Sequence, residues 1–190
     1  MYDALLVRHC APTLAGLKAG SLFSCPFERT EEMLVCLRRW NAHLHEKGLH
    51  VLPLRRHKGR TLVYLYRSSA LLRDFSCAQT ARLLKQYHYP FPCPQRCIAH
   101  LIKKLAQEAS FPHEIGLFLG YPPEDVLGFI RDPSAYKFSG CWKVYGDILT
   151  AQTRFDTYRK CTQTCCALFA LGVDLQQLAS STHNTFNCVI

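Results

Sequence analysis

Leu49-His50-Val51-Leu52-Pro53-Leu54-Arg55 and Thr61-Leu62-Val63-Tyr64-Leu65-Tyr66-Arg67 flank the polar stretch His57-Lys58-Gly59-Arg60. Both arms are rich in β-branched and aromatic residues, and a Gly-containing connection between such arms is the signature of a β-hairpin. On the N-terminal side, Met33, Leu37, Trp40 and Leu44 recur at 4-3-4 spacing. That stripe predicts an amphipathic helix from Thr30 to about Lys47, with Gly48 as its stop. On the C-terminal side, Ser68 or Ser69 opens a helix through Leu71, Leu72, Phe75, Leu83 and Leu84, ending before Tyr87-His88-Tyr89-Pro90-Phe91-Pro92. Ile98, Leu101, Ile102 and Leu105 mark a further helix from Pro94 to about Glu108. Ala4–Arg8 reads as a short buried strand leading into a loop from His9. Lys137–Gly146 reads as a second strand region bounded by glycine, with Cys141, Lys143 and Tyr145 on one face and Trp142 and Val144 on the other. Helices are also expected over Glu124–Arg131, which Pro133 ends, and from Asp147 towards Leu171. The sum is about four strands and six helices without strand–helix alternation, which predicts an α+β fold.

The chain has 190 residues, 48 % of them apolar and 19 % charged. Such a composition belongs to globular proteins rather than disordered ones, and the length suits one domain over residues 1–179 with a frayed polar tail over 180–190. The N-terminal apolar run is too short for a signal peptide or a membrane span, so a cytoplasmic location is expected. Eleven cysteines, an odd number without a secretory signal, are expected to be reduced and mostly buried. The net charge of +9 favours acidic partners in general.

The densest grouping of special residues is Phe111-Pro112-His113-Glu114-Ile115-Gly116-Leu117-Phe118-Leu119-Gly120-Tyr121-Pro122-Pro123. Ser110 and Pro112 suit a helix start, and the two closing prolines suit a stop. A helix over His113–Gly120 places His113, Gly116, Leu117 and Gly120 on one face. Two glycines there lower helix propensity by about 1 kcal/mol each relative to Ala, which suits a face against which another backbone or a planar ligand lies flat. The plainer alternative is that the glycines admit a neighbouring helix and His113 is a capping residue. The metalloprotease pattern His-Glu-x-x-His is absent because position 117 is Leu, which removes that class.

Chemistry-bearing residues occur in three places. After the first expected strand come His9, Cys10, Thr13 and Lys18, where a neighbouring cation would lower a thiol pKa. The central stretch offers His113, Glu114, Gly116, Gly120 and Tyr121, and the late strand Lys143 and Tyr145. A small-molecule-binding protein or thiol-dependent enzyme is the leading reading, with Cys10 as nucleophile, His113 as base and Glu114 beside it. Thr13, Lys18, Gly116, Gly120, Tyr121, Lys143 and Tyr145 are its candidate ligand-binding residues. Metal or haem binding is the alternative, with His9, Cys10 and His113 as candidate ligands. Cys93 with Cys97 and Cys161 with Cys165 add thiols one helical turn apart. Nucleic-acid binding is a minor alternative resting on charge and on the basic hairpin tip, since no nucleic-acid-binding motif accompanies them.

The three motif regions, Cys10-Ala11-Pro12-Thr13-Leu14-Ala15-Gly16-Leu17-Lys18, Phe111–Pro122 and Gly140-Cys141-Trp142-Lys143-Val144-Tyr145, resemble an uncharacterised bacterial family. It is a domain of unknown function found largely in anaerobic, clostridia-like bacteria. The resemblance spans nearly the whole chain and implies a single-domain bacterial cytosolic protein. It brings no activity and no established catalytic residue, and leaves any cofactor unknown.

Overall fold

The computed structural model describes residues 2–107 and 110–179. The expected frayed tail over 180–190 lies outside these residues. The α+β class is as expected, although the described residues hold more elements than the sequence pattern suggests. They form two small sheets of three and two strands with nine α-helices. The described residues form two compact units, one made of residues 2–68 and 158–179 and the other of those within 69–157.

The first unit begins with helix α1 (Tyr2–Leu14), followed by β1 (Gly20–Cys25), α2 (Thr30–Leu44), a 3-10 turn (His45–Lys47), β2 (Leu49–His57) and β3 (Arg60–Arg67). Ala4–Arg8 is therefore helical, which corrects the expected strand. Five apolar-rich residues suit either structure, but Leu6, Val7, Cys10, Ala11 and Leu14 are all fully buried. That spacing is the 3.6-residue period of a helix carried on past residue 8. Pro12 sits in the helix's last turns rather than in a loop.

The hairpin holds at the expected place. His57 pairs with Arg60, and Lys58 and Gly59 both take positive φ, 46° and 72°, as the tightest hairpin turn requires. β3 is the central strand, antiparallel to β2 on one side and to the unforeseen β1 on the other. β2 is an edge, which tolerates the missing N–H of Pro53 and a register shift between Pro53 and Arg55. Asn41 of α2 satisfies that edge, accepting from Val51 N at 2.9 Å and donating to Val51 O at 2.8 Å. Gly48 ends the preceding turn in the left-handed conformation at φ 68°, a region where side chains are disfavoured. Trp40, Phe27, Leu44, Leu49 and Leu65 fill the core, together with Cys161 and Cys165.

The second unit contains α3 (Ser68–Phe75, from its second residue), α4 (Ala78–Gln86), α5 (Pro94–Gln107), α6 (Ile115–Phe118), α7 (Pro123–Arg131), β4 (Phe138–Ser139) and β5 (Lys143–Val144). Helix α8 (Ile148–Ala170) starts in this unit and ends in the first, where α9 (Leu175–Leu178) follows. The expected helix from Ser68 is split at Ser76-Cys77. The expected strand over Lys137–Gly146 is a hairpin folded back at Gly140-Cys141-Trp142, with Phe138 opposite Val144. Gly140 makes this reversal feasible: a Cβ there would lie 2.2 Å from the Phe155 ring. Alternation of faces does not survive a turn, so Cys141, Trp142 and Lys143 end up together.

Candidate functional site

The central stretch forms one helical turn, α6, rather than the expected two. Glu114 is its anchor. It is buried, takes Lys104 Nζ at 2.5 Å, and accepts from Tyr89 Oη at 3.0 Å. Its carboxylate is thus engaged by α5 and by the Tyr89 segment, which suits positioning of the turn rather than acid–base chemistry at an open site. Gly116 is buried, and a Cβ on it would come within 2.8 Å of Val126 and 3.1 Å of the Tyr121 ring. The close approach expected at this glycine is made by protein side chains. Gly120 takes φ 70° and turns the chain into Tyr121-Pro122, the entry to α7.

Asp125, in the first turn of α7, holds the β4–β5 hairpin. One carboxylate oxygen accepts from the Trp142 indole at 2.7 Å, and the other from Tyr145 N at 2.7 Å and Gly146 N at 2.8 Å. This carboxylate is buried, and three of its roughly four acceptor sites are taken. It sets Trp142 against Tyr121, with ring centroids 4.8 Å apart and 27° between planes. It also sets Trp142 edge-on to Phe155 at 4.4 Å.

A cleft of about 220 Å³ opens on this framework, lined by His113, Ile115, Gly116, Tyr121, Asp125, Val126, Phe129, Cys141, Trp142 and Lys143. The His113 ring meets Phe129 at 4.9 Å, and among the described residues its ring nitrogens have no hydrogen-bond partner. Lys143 Nζ lies 5.5 Å from the centre of the Phe129 ring and 4.6 Å from that of Tyr136, and donates to Pro133 O at 2.7 Å. No carboxylate pairs with Lys143 among the described residues.

Four of the residues chosen from the sequence, His113, Gly116, Tyr121 and Lys143, therefore meet in one cleft. Tyr145 does not line it. Its ring packs on Gly128, where a Cβ would lie 2.3 Å from the ring. Its hydroxyl is buried without a hydrogen-bond partner among the described residues, and burial, then the nearby Asp132, raises its pKa. Phe129, Asp125 and Trp142 were not chosen from the sequence. Asp125 and Phe129 stand four apart on one helical face, a pattern that many surface helices share.

His9, Cys10, Thr13 and Lys18 belong to the first unit. Cys10 is fully buried in its core. Burial pushes its thiol pKa far up, and the opposing charge of Lys18 is the lesser influence. The anticipated effect of Lys18 is present but outweighed, because desolvation disfavours a thiolate in an apolar core. Cys10 thus has the surroundings of a structural cysteine rather than of a nucleophile. Thr13, also buried, shares a 2.8 Å hydrogen bond with Ser21, which joins α1 to β1. The His9 ring stacks on Phe23 at 5.8 Å. Among the described residues no three His, Cys, Asp or Glu side chains come together to hold a metal ion, so the metal reading finds no ligand set there. Cys97, Cys161 and Cys165 are buried, the ordinary fate of helical thiols at that spacing.

Cys77 contrasts with Cys10. It is exposed at the N-cap of α4, and backbone N–H groups of Thr80 and Gln79 lower its thiol pKa. The thiolate is the reactive form, so the two shifts predict opposite behaviour. With iodoacetamide at pH 7.5 or so, Cys77 should be alkylated at least about tenfold faster than Cys10 in the folded protein, and urea should remove the difference. Peptide mass spectrometry reads both sites. Equal rates without urea would show that Cys10 is not held in the core.

A family model described as a protein of unknown function (DUF3793) matches residues 6–179. The chain belongs to the DUF3793 family. A domain of unknown function over nearly the whole chain is what the resemblance read from the sequence implied. No curated protein and no solved structure matches the chain. No helix among the described residues is long and apolar enough to cross a membrane.

Proposed function

We propose that this DUF3793 protein binds a small molecule in the cleft between α6, α7 and the β4–β5 hairpin. The observation that carries the reading is the convergence of His113, Tyr121, Trp142, Phe129 and Lys143 on one concave surface. Ligand sites are concave, largely apolar and aromatic, with a few polar groups that fix orientation. His113 and Lys143 are those groups here. Asp125 and Glu114 hold the walls, and both have their partners within the protein. The proposal rests on the second unit alone and assigns Cys10 no chemical part.

Thermal unfolding in the presence of separate aliphatic acids, aromatic acids, phosphate esters, amines and neutral amides tests it. A ligand at a hundred times its Kd adds about 2.7 kcal/mol of stability. One class should therefore raise the unfolding midpoint by several degrees. Lys143→Ala and His113→Ala should abolish that rise while leaving the unliganded midpoint nearly unchanged, because His113 is exposed and Lys143 only half-buried. If no class shifts the midpoint, or if the shift survives both substitutions, the cleft is not the binding site.

A further inference from the structure

Building on that reading, we infer that the ligand is a planar ring carrying a single carboxylate, held with the ring among the aromatic walls and the carboxylate towards Lys143. Charge argues first for an anion. Among the described residues the acid lining the cleft is Asp125, and its oxygens accept from the Trp142 indole and two backbone N–H groups. A cationic ligand would meet the Lys143 ammonium, and Asp125, already accepting three hydrogen bonds, has about one acceptor site left to offer it.

Lys143 itself is arranged to receive an anion. An ammonium carries three donors, and Pro133 O takes one of them. Two remain for a ligand. The Phe129 and Tyr136 rings hold the ammonium in place by cation–π attraction, so little side-chain freedom is left to lose on binding. His113, at the other contact of Phe129, offers a second polar edge to the same ligand.

The number of cations argues for one negative charge rather than two. Phosphate recognition favours the fork of arginine or rows of backbone N–H groups, and among the described residues no arginine lines this cleft. Shape argues for a flat ring. Tyr121 and Trp142 already stack on each other, and Phe129 and His113 supply the further ring surfaces. Aromatic partners prefer offset-stacked or edge-to-face contacts of this kind. Size limits the ring count. Drug-sized ligands occupy clefts of roughly 300–1,000 Å³, so about 220 Å³ suits one ring with one short substituent.

The test is ligand-observed saturation-transfer NMR on the full chain with four probes: benzoate, benzamide, cyclohexanecarboxylate and phenyl phosphate. Benzoate should bind about tenfold or more tightly than benzamide, the difference expected when a charge-assisted hydrogen bond is lost. It should also exceed cyclohexanecarboxylate and phenyl phosphate. Lys143→Met should bring benzoate down to the level of benzamide while the circular dichroism and the urea midpoint of the variant stay those of the parent, which a merely misfolded variant would not show. Equal binding of benzoate and benzamide overturns the carboxylate. Equal binding of cyclohexanecarboxylate overturns the planar ring, and tighter phenyl phosphate overturns the single charge. If none of the four binds while another class shifts the unfolding midpoint through Lys143, this ligand class is wrong and the cleft reading stands. If neither experiment finds a ligand, both fail.

Discussion

Asp125→Ala is expected to destabilise the second unit by about 3–5 kcal/mol, the largest effect of any single substitution near the cleft. Three donors lose their acceptor at once: the buried Trp142 indole and the N–H groups of Tyr145 and Gly146. Each buried donor left without a partner costs about 1–3 kcal/mol. The three losses do not add fully, because a loosened hairpin lets some donors reach water. Asp125→Asn should recover only part of the stability. Its amide can still accept from the backbone, but its NH₂ group then competes for space with the indole N–H. Urea unfolding followed by Trp142 fluorescence, with Trp40→Phe as the reference background, measures both variants. A loss under 1 kcal/mol for Asp125→Ala would mean that the hairpin is held by its aromatic contacts instead. The same variant should weaken ligand binding in the cleft, since Trp142 and Lys143 are placed by the hairpin that Asp125 secures.

Arg67→Met should destabilise the first unit by about 2–4 kcal/mol. Arg67 is buried at the end of β3 and donates to Leu14 O and Lys47 O, each at 2.8 Å. These are carbonyls at the last turns of α1 and of the 3-10 turn after α2. Helix C-termini leave such carbonyls without internal partners and concentrate partial negative charge there. One guanidinium thus serves two helix ends and one strand. Burial lowers its pKa, yet a guanidinium stays protonated at any ordinary pH, so the contribution should not titrate between pH 5 and 9 or so. Arg67→Lys should recover less than half of the loss, because a single ammonium lacks the planar fork that reaches both carbonyls. Urea unfolding followed by Trp40 fluorescence checks this. Full recovery by Lys would show that the charge matters and the two-carbonyl geometry does not.

Sites of this kind are partly legible in a sequence, and the individual residues show why. His113, Gly116 and Tyr121 stand out because glycine, proline and histidine in one short segment conflict with ordinary helix propensity. That local conflict marks a place where packing has overridden preference, and here Val126 and Tyr121 fill the space that Gly116 leaves. Lys143 was chosen for a different reason than the one that places it. Alternation along a strand set it beside Tyr145, whereas a turn at Gly140 sets it beside Trp142 and Phe129. Cys10 shows the opposite failure. A thiol near Lys18 has the residues of an activated nucleophile, but whether charge or desolvation decides its state depends on burial.

Pattern and turn chemistry alone determined the hairpin of β2 and β3, helix α2 with its Gly48 stop, helix α7 and the α+β class. Each of these rests on interactions within a few residues, which periodicity, capping and glycine conformations record directly. The resemblance to a domain of unknown function was likewise read from the sequence, and the DUF3793 family model matches residues 6–179. Tertiary structure alone decided that Ala4–Arg8 is helical, that Lys137–Gly146 folds back on itself, that Glu114 and Asp125 serve as anchors, and which residues share the cleft. Four apolar residues in a row before Arg8 are compatible with helix or strand until a core surface selects one. A carboxylate becomes an anchor only when donors distant in sequence converge on it, and the Asp125 donors lie 17 to 21 residues away. Those partners are set by packing, which no local pattern encodes.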